Sequence, residues 1–191
     1  MPRPLTPEER ARAPQAPSPA ELARVGRVRP VLLYPDPMLR QICEPVGHLD
    51  WAALCQLAGD LLASMYAAGG RGLAAPQIGT PSRIFVMDAS WKDGLPMPRI
   101  VLDPQILPQG DDWAVLTESC LSIPDQPVAV LRPARITLTG FDLMGDLYSV
   151  ALEGIEARIA QHEADHLDGR LILDHADPQQ VQAQGLSRGN P

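Results

Sequence analysis

Two histidines and a glutamate with the spacing of a metal site lie in the segment His162-Glu163-Ala164-Asp165-His166. On a helix, residues four apart share one face, so both imidazoles can bind one metal ion. Glu163 lies between them and can take a proton from a water molecule that the metal activates. The alternative is a helix with two ordinary surface histidines and no metal, so the hypothesis depends on a third ligand.

A third ligand is expected upstream of this helix. The metzincin spacing would place a histidine at position 172, which is Ile172. No glutamate follows Glu163, so a later helix cannot supply one as a ligand. Cys120 is the candidate, because it stands within the polar, turn-like segment 118–122. A Cys-His-His set leaves one coordination position open.

Length, charge and cysteine content limit the class of protein. A chain of 191 residues can bury one core, and one domain is expected. The formal net charge of −7 argues against a broad nucleic-acid surface, because phosphate binding needs clustered Lys and Arg. Three scattered cysteines, Cys43, Cys55 and Cys120, indicate a reducing compartment rather than a disulfide framework. With no long apolar run and no secretory signal, a cytoplasmic protein without a membrane partner is predicted.

The chain divides into three predicted regions. Residues 1–29 are rich in Pro, Ala and Arg and predict a flexible arm, since the prolines interrupt any helix longer than a turn or two. An Arg-rich start is also typical of transit peptides, but Glu8, Glu9 and Glu21 weigh against one. Residues 30–176 are predicted as the catalytic domain. Residues 177–191 are predicted as a short tail, in which Asp177-Pro178 caps a brief helix.

Two helices are predicted to position the chemistry. Apolar residues recur at helical spacing after Asp50 and before Gly69, which predicts a long amphipathic helix that covers the strands. A second helix is predicted from Ile155 to Leu167. It places Ile155, Ile159, His162 and His166 along one stripe facing the sheets.

Short β-branched segments predict a largely antiparallel set of strands. They are residues 83–87, 99–102, 115–117, 128–131, 136–139 and 147–152, with 171–173 as one more short strand.

Three separated segments resemble, in order and spacing, the motifs of the peptide deformylase family. They are Gly70-Arg71-Gly72-Leu73-Ala74-Ala75-Pro76-Gln77, Glu118-Ser119-Cys120-Leu121-Ser122 and Gln161-His162-Glu163-Ala164-Asp165-His166. The resemblance extends from about Leu33 through Asp174. It implies an α+β fold, with short, largely antiparallel mixed sheets packed around a central helix that carries the two histidines. It also implies hydrolytic removal of the formyl group from the N-terminal formylmethionine of newly made polypeptides, releasing formate.

The resemblance implies a role for each motif residue. Cys120 and the two histidines would hold one Fe²⁺ per chain, with Zn²⁺, Ni²⁺ or Co²⁺ as substitutes. Glu163 would take the proton during attack and deliver it to the departing amine. The Gln77 amide and the backbone N–H of Leu121 would meet the oxyanion. The implied partners are a formylated nascent peptide and, transiently, the ribosome.

The loop Gly70-Arg71-Gly72 is implied to bind the substrate, because glycine lets its backbone approach an extended peptide. Outside this context it would be an ordinary helix-to-strand turn. Glu118 is expected to pair with Arg132 and steady the cysteine loop.

Three positions depart from the family pattern. Arg71 stands where an aliphatic residue is usual, beside the methionine pocket, and Pro127 where a basic residue is frequent. Ser119 replaces a glycine, which is tolerated if the backbone does not need a positive φ. Arg71 and Pro127 motivate the alternative of a deformylase-like metal protein with altered specificity or a binding role. A general metallopeptidase is a third hypothesis, which the upstream cysteine motif disfavours.

Overall fold

The computed structural model describes residues 17–176, and these residues contain four α-helices and seven strands. The helices are α1 (Pro19–Val25), α2 (Trp51–Ala67), α3 (Gly154–Leu167) and α4 (Ile172–His175). The strands are β1 (Gly72–Ala74), β2 (Ile84–Met87), β3 (Arg99–Pro108), β4 (Trp113–Cys120), β5 (Ile123–Pro133), β6 (Arg135–Phe141) and β7 (Leu147–Glu153). Short 3₁₀ turns occupy Pro37–Arg40, Val46–His48, Ala75–Ile78 and Trp91–Asp93.

The strands form two antiparallel sheets, one of five strands in the order β1-β2-β3-β6-β7 and one of two, β4-β5. The predicted α+β class and the largely antiparallel pairing are therefore confirmed. The six strands predicted before residue 153 are all present, most of them with longer ends. Strand β1 lies in the Gly-rich segment, where the sequence indicated a loop, because it pairs with β2 from Gly72 to Ala74.

Helix α2 begins where the sequence predicts it. The Asp50 carboxylate accepts the Ala53 N–H at 2.8 Å, which satisfies a free donor of the first turn. Leu61, Leu62 and Met65 of the apolar stripe are fully buried in a core cluster that includes residues of β1 and β2. This burial makes the stripe part of the core rather than a binding face.

Helix α3 packs between the two sheets, with Ala157, Ala160 and Leu167 buried against the five-stranded sheet. It ends at Leu167, with Asp168 as its C-cap, ahead of Gly169 with φ 68°. The prediction that Ile155 faces a sheet is wrong: the residue is 49% exposed and lines a cleft instead.

Part of the predicted arm is ordered. Ser18 caps α1, where the Glu21 N–H donates to its hydroxyl at 3.3 Å, and Pro19 opens the helix. Residues 17–29 of the predicted arm thus contain one short helix that the sequence did not predict, and its buried Leu22 packs against α2. Residues 1–16 lie outside the described residues, and the boundary at residue 30 stays a prediction.

The predicted strand at residues 171–173 is also wrong. Leu171 precedes the short helix α4, and its N–H donates to Asp174 at 2.8 Å. The apolar side chains of Ile172 and Leu173 pack against the inner face of β5 instead of pairing with a strand edge. The predicted tail, with its brief helix, lies outside the described residues. Within residues 17–176 no helix has the length and apolar content to cross a membrane.

Candidate active site

Cys120, His162 and His166 come together between the two-stranded sheet and α3. The Cys120 Sγ lies 3.3 Å from His166 Nε2, and one donor atom from each of the three residues lies within 4.8 Å of the others. Cys120 and His166 are buried, whereas His162 keeps 11% of its side chain exposed. The structure thus assembles the three residues that the sequence predicted as ligands.

Strand β4 turns Cys120 toward the helix. Side chains alternate along a strand, so Glu118 and Cys120 are buried while Ser119 is exposed. A register shift between Glu118 and Cys120 interrupts the pairing with β5, and such bulges re-aim side chains. Ser119 does not have a positive φ, so this position does not need the glycine that the family pattern has.

Glu118 determines how His162 presents its ring. The His162 Nδ1 lies 2.9 Å from a Glu118 carboxylate oxygen. Because a carboxylate only accepts, Nδ1 carries the proton and Nε2 is left as the donor atom for a metal. His166 stands one turn further on α3, with the two ring centroids 5.0 Å apart.

Buried arginines hold Glu118 in place. Arg132 donates to both of its oxygens, at 2.7 and 3.0 Å, which confirms the predicted pair. Arg158 donates to one of the same Glu118 oxygens at 3.0 Å. Burial works to raise the pKa of Glu118, yet hydrogen bonds from His162 and Arg132 lower it to about 2. Glu118 is therefore ionised at neutral pH.

The same network reaches a residue that the sequence reasoning did not assign. Arg132 donates to Asp165 at 2.7 Å, and His175 of α4 lies 2.8 Å from the same carboxylate. Asp165 stands inside the histidine motif, so its position was visible, but no sequence pattern indicated a partner in α4.

Burial raises the pKa of Glu163 to about 7, although His162 and His166 act to lower it. The residue is 4% exposed, and among the described residues its Oε2 has no hydrogen-bond partner. A Cβ added to Gly72 would lie 2.2 Å from its other oxygen, Oε1. The strand β1 backbone thus packs directly on this carboxylate.

The electrostatics of the cluster favour the ligand form of Cys120. Burial alone would raise the pKa of the thiol, but the neighbouring His166 and His162 lower it to about 5. A thiolate with two imidazole nitrogens is a donor set that suits Zn²⁺, Fe²⁺ and related transition ions rather than Mg²⁺ or Ca²⁺, which prefer oxygen. The residues present therefore fit one divalent transition-metal ion.

Gln77 lies beside the cluster in the 3₁₀ turn after β1. The oxygen of its side-chain amide accepts the Ala74 N–H at 2.9 Å, and the NH₂ group of the same amide donates to the Ser122 hydroxyl at 3.1 Å. The same nitrogen lies 3.8 Å from the Cys120 sulfur. Ser122 is a contact that the sequence analysis did not identify, because position 122 carries no distinctive signal of its own.

A cleft of about 350 Å³ opens onto these residues. Its lining includes the sequence-predicted residues Gly70, Arg71, Gly72, Gln77, Cys120, Leu121, His162 and Glu163. Pro127, by contrast, is exposed on β5 and does not line it. Lys92, in the β2–β3 connection, does line the cleft, and nothing in the sequence predicted this position.

The fold and the cluster define a class: an α+β protein with a buried thiolate–imidazole site, an adjacent carboxylate and a cleft, the arrangement of a hydrolase. The family model for polypeptide deformylase matches residues 28–182. A peptide deformylase of Mesorhizobium japonicum is 45% identical over 148 residues, covering 78% of this chain and 84% of its own.

Solved structures similar to this chain are also peptide deformylases. The crystal structure of the Thermotoga maritima peptide deformylase has a TM-score of 0.72 and 36% identity, over 80% of this chain and 99% of its own. The Met-Ala-Ser-bound class I type b peptide deformylase of Acinetobacter baumannii has a TM-score of 0.70 and 30% identity, over 78% of this chain and 98% of its own. The chain belongs to the peptide deformylase family and is a hydrolase, which confirms the resemblance seen in its three motifs.

Proposed function

We propose that this protein removes the formyl group from the N-terminal formylmethionine of newly made polypeptides by metal-dependent hydrolysis, in the cytoplasm, near the ribosome. The observation that carries the proposal is the buried Cys120–His162–His166 cluster with the Glu163 carboxylate beside it, at the base of a cleft. A relative binds Met-Ala-Ser, the peptide that deformylation of formyl-Met-Ala-Ser would leave.

Cys120, His162 and His166 would hold the metal, with Fe²⁺ as the native ion and Zn²⁺, Ni²⁺ or Co²⁺ as substitutes. When bound, such an ion lowers the pKa of a water molecule and polarises a carbonyl group. Glu118 keeps the His162 ring in the tautomer that leaves Nε2 as the donor, through the 2.9 Å contact to Nδ1.

The residues around the cluster perform the proton transfers. Water attacks the formyl carbon, and the Glu163 carboxylate accepts a proton from it. Glu163 then delivers this proton to the amine nitrogen as the C–N bond breaks, giving formate and a free N-terminus. Burial, which works to raise the pKa of Glu163, favours uptake of a proton by this carboxylate.

The oxyanion that forms on the formyl oxygen needs donors. The Gln77 NH₂ group is oriented toward the cluster by its carbonyl contact with Ala74, and Leu121 follows Cys120 directly in the chain. We assign the Gln77 amide and the Leu121 N–H to this role. Gly70 and Gly72 lie along the cleft, where their bare backbone leaves room for an extended peptide.

The test is formate release from formyl-Met-Ala-Ser by anaerobically purified, iron-loaded protein. The Glu163→Gln variant is expected to retain stoichiometric metal and to lose turnover by about 100-fold or more, since proton transfer is removed while the ligands remain. Wild-type protein with a full complement of metal and no formate release would overturn the proposal.

One observation keeps a second candidate function open. Arg71, which is unusual for the family, lines the cleft, so a deformylase-like protein with altered specificity or a binding role is the alternative. Formate release restored by Arg71→Ile in an inactive protein would support it. Hydrolysis of unformylated peptides at an internal bond would instead indicate the general metallopeptidase.

A further inference from the structure

Two cations stand on one wall of the cleft. Arg71, at the start of the β1 segment, and Lys92, in the β2–β3 connection, both line it. The Arg71 side chain is 32% exposed and lies 3.8 Å from Asp93, whose own side chain is 67% exposed. A pair this long and this exposed to solvent is weak, so it leaves the guanidinium charge available to a ligand.

Hydrogen bonds to a buried carboxylate hold the backbone of this wall in place. Asp88 is buried, and its carboxylate accepts the N–H groups of Trp91 and Met97, both at 3.1 Å, and the Tyr66 hydroxyl at 2.7 Å. These bonds shape the connection that carries Lys92. The Lys92 Nζ lies 5.6 Å from the centroid of the Trp91 ring, within cation–π range.

The connection is also fastened to the Arg71 segment. The Trp91 indole N–H donates to the Gly70 carbonyl at 2.8 Å, and the Asp88 N–H donates to the Arg71 carbonyl at 2.8 Å. The Trp91 ring packs edge-to-face on Tyr66, with centroids 5.3 Å apart. The two segments that carry Arg71 and Lys92 are therefore held together on the same wall.

The lining contributed by the β4–β5 hairpin differs in charge. Its exposed residues include Asp125 and the neutral Thr117 and Ser119. The inner cation, Arg158, donates to Glu118 and to the carbonyls of Val130 and Ala114. Among the described lining residues, this leaves Arg71 and Lys92 as the cations that face solvent. A substrate carboxylate is attracted to the Arg71–Lys92 wall and a substrate ammonium is repelled by it.

We propose that Arg71 and Lys92 make this enzyme select formylated peptides that carry an acidic side chain in the first residues after the methionine. The inference rests on the proposed deformylase function and names the substrate class that this cleft favours.

The experiment compares kcat/KM for C-terminally amidated formyl peptides, because an amide removes the terminal carboxylate that the wall could bind. The pairs are formyl-Met-Glu-Ser against formyl-Met-Lys-Ser and formyl-Met-Ala-Glu against formyl-Met-Ala-Lys, with formyl-Met-Ala-Ser as the neutral reference. At low salt the Glu peptide is expected to be better by about tenfold in at least one pair, the attraction of one peptide and the repulsion of the other each adding to the ratio.

The ratio of kcat/KM for the Glu peptide to kcat/KM for the Lys peptide, rather than absolute activity, is then measured in variants. Arg71→Gln combined with Lys92→Gln is expected to bring it close to one. Arg135→Gln is the matched control: Arg135 is an exposed cation paired with Asp112 and does not line the cleft, so the ratio should stay at the wild-type value. Raising the ionic strength should reduce the wild-type ratio.

Ratios near one in both pairs, or a ratio that survives the double substitution, overturn this inference alone. Absence of formate from all five peptides overturns the proposed function, and the inference with it.

Discussion

Gly72 illustrates how strongly single residues determine this site. Its φ is not positive, so the reason for glycine is space: a Cβ there would meet the Glu163 carboxylate. The motif resemblance implied that Gly72 contacts a peptide. The structure adds a second reason, which is the close packing of the β1 backbone on the Glu163 carboxylate.

Gly72→Ala is expected to lower kcat for formyl-Met-Ala-Ser by about 10- to 100-fold, because a Cβ 2.2 Å from Oε1 must displace Glu163. Metal content should not change, since the substitution touches no ligand. Formate release and metal analysis check both. Gly47→Ala is the matched control: a Cβ there has no neighbour within 4 Å, and full activity is expected. Equal activity in both variants would contradict the prediction.

Residue types and spacing were enough to predict the three residues that the structure brings together as candidate ligands. His162 and His166 are four apart on a helix, and excluding downstream ligands directed attention to Cys120. The Glu118–Arg132 pair was also predictable once the motifs were aligned. Ser122 and Asp165 were not assigned, because their partners come from elements that only folding brings near.

At the scale of elements, the Glu118–Arg132–Asp165 network joins the β4–β5 hairpin to α3. The Glu118 and Arg132 side chains are each only 5% exposed. If one partner is removed, little water can reach the remaining charge to solvate it. The network thus orients the site and links two layers of the fold.

Arg132→Met is expected to lower the free energy of unfolding by about 3–5 kcal/mol, since Glu118 and Asp165 lose a buried counter-charge. Urea denaturation with a chelator present checks this without a contribution from metal. Arg135→Met removes an exposed pair with Asp112 and should cost less than about 1 kcal/mol. A similar loss in both variants would show that the network carries no special stability.

The crossing of α1 and α2 depends on two glycines. A Cβ on Gly26 would lie 2.0 Å from the Gly59 carbonyl oxygen, a backbone atom that cannot rotate away. Next to this contact, the Arg27 N–H donates to the buried Asp60 at 2.8 Å. The first helix is therefore docked by close backbone approach and by a hydrogen bond to a buried carboxylate.

Gly26→Ala is expected to undock α1, expose Leu22 and lower the free energy of unfolding by about 1–3 kcal/mol. Denaturation curves and the rate of proteolysis near residue 26 measure these effects. Gly47→Ala again serves as the control without a clash. Unchanged protease sensitivity would mean that α1 does not depend on this contact.

On the scale of the whole molecule, the candidate ligands belong to different layers. Cys120 comes from the two-stranded sheet and both histidines from α3. A bound ion would therefore cross-link the hairpin and the helix in the folded state. Because the unfolded chain lacks this arrangement, metal binding should stabilise the fold as a whole.

The thermal midpoint is expected to rise with free metal concentration, by the equivalent of about 2.7 kcal/mol at one hundred times the dissociation constant. Calorimetry with Zn²⁺ or Ni²⁺, which resist oxidation, measures the shift. His166→Ala removes one ligand and should abolish the dependence on metal. If neither a chelator nor added metal changes the thermal midpoint of the wild-type protein, the result would argue against a metal at this cluster.

The sequence by itself determined the two long helices and the antiparallel strands, because these follow from periodicity and turn residues, which are local. Its resemblance to the deformylase motifs implied the α+β class and pointed to the Cys120–His162–His166 cluster. It misplaced the segment at 171–173 and did not predict the short helix α1, because the conformation of both depends on what they pack against.

Only the tertiary structure decided the remaining features. It showed that Gly72 makes room for Glu163, that Arg132 connects Glu118 with Asp165, and that the β2–β3 connection brings Lys92 to the wall that carries Arg71. Each of these contacts joins residues far apart in the chain. Their energies depend on burial and on the distance between charges, which arise when the layers pack and leave no pattern in the sequence.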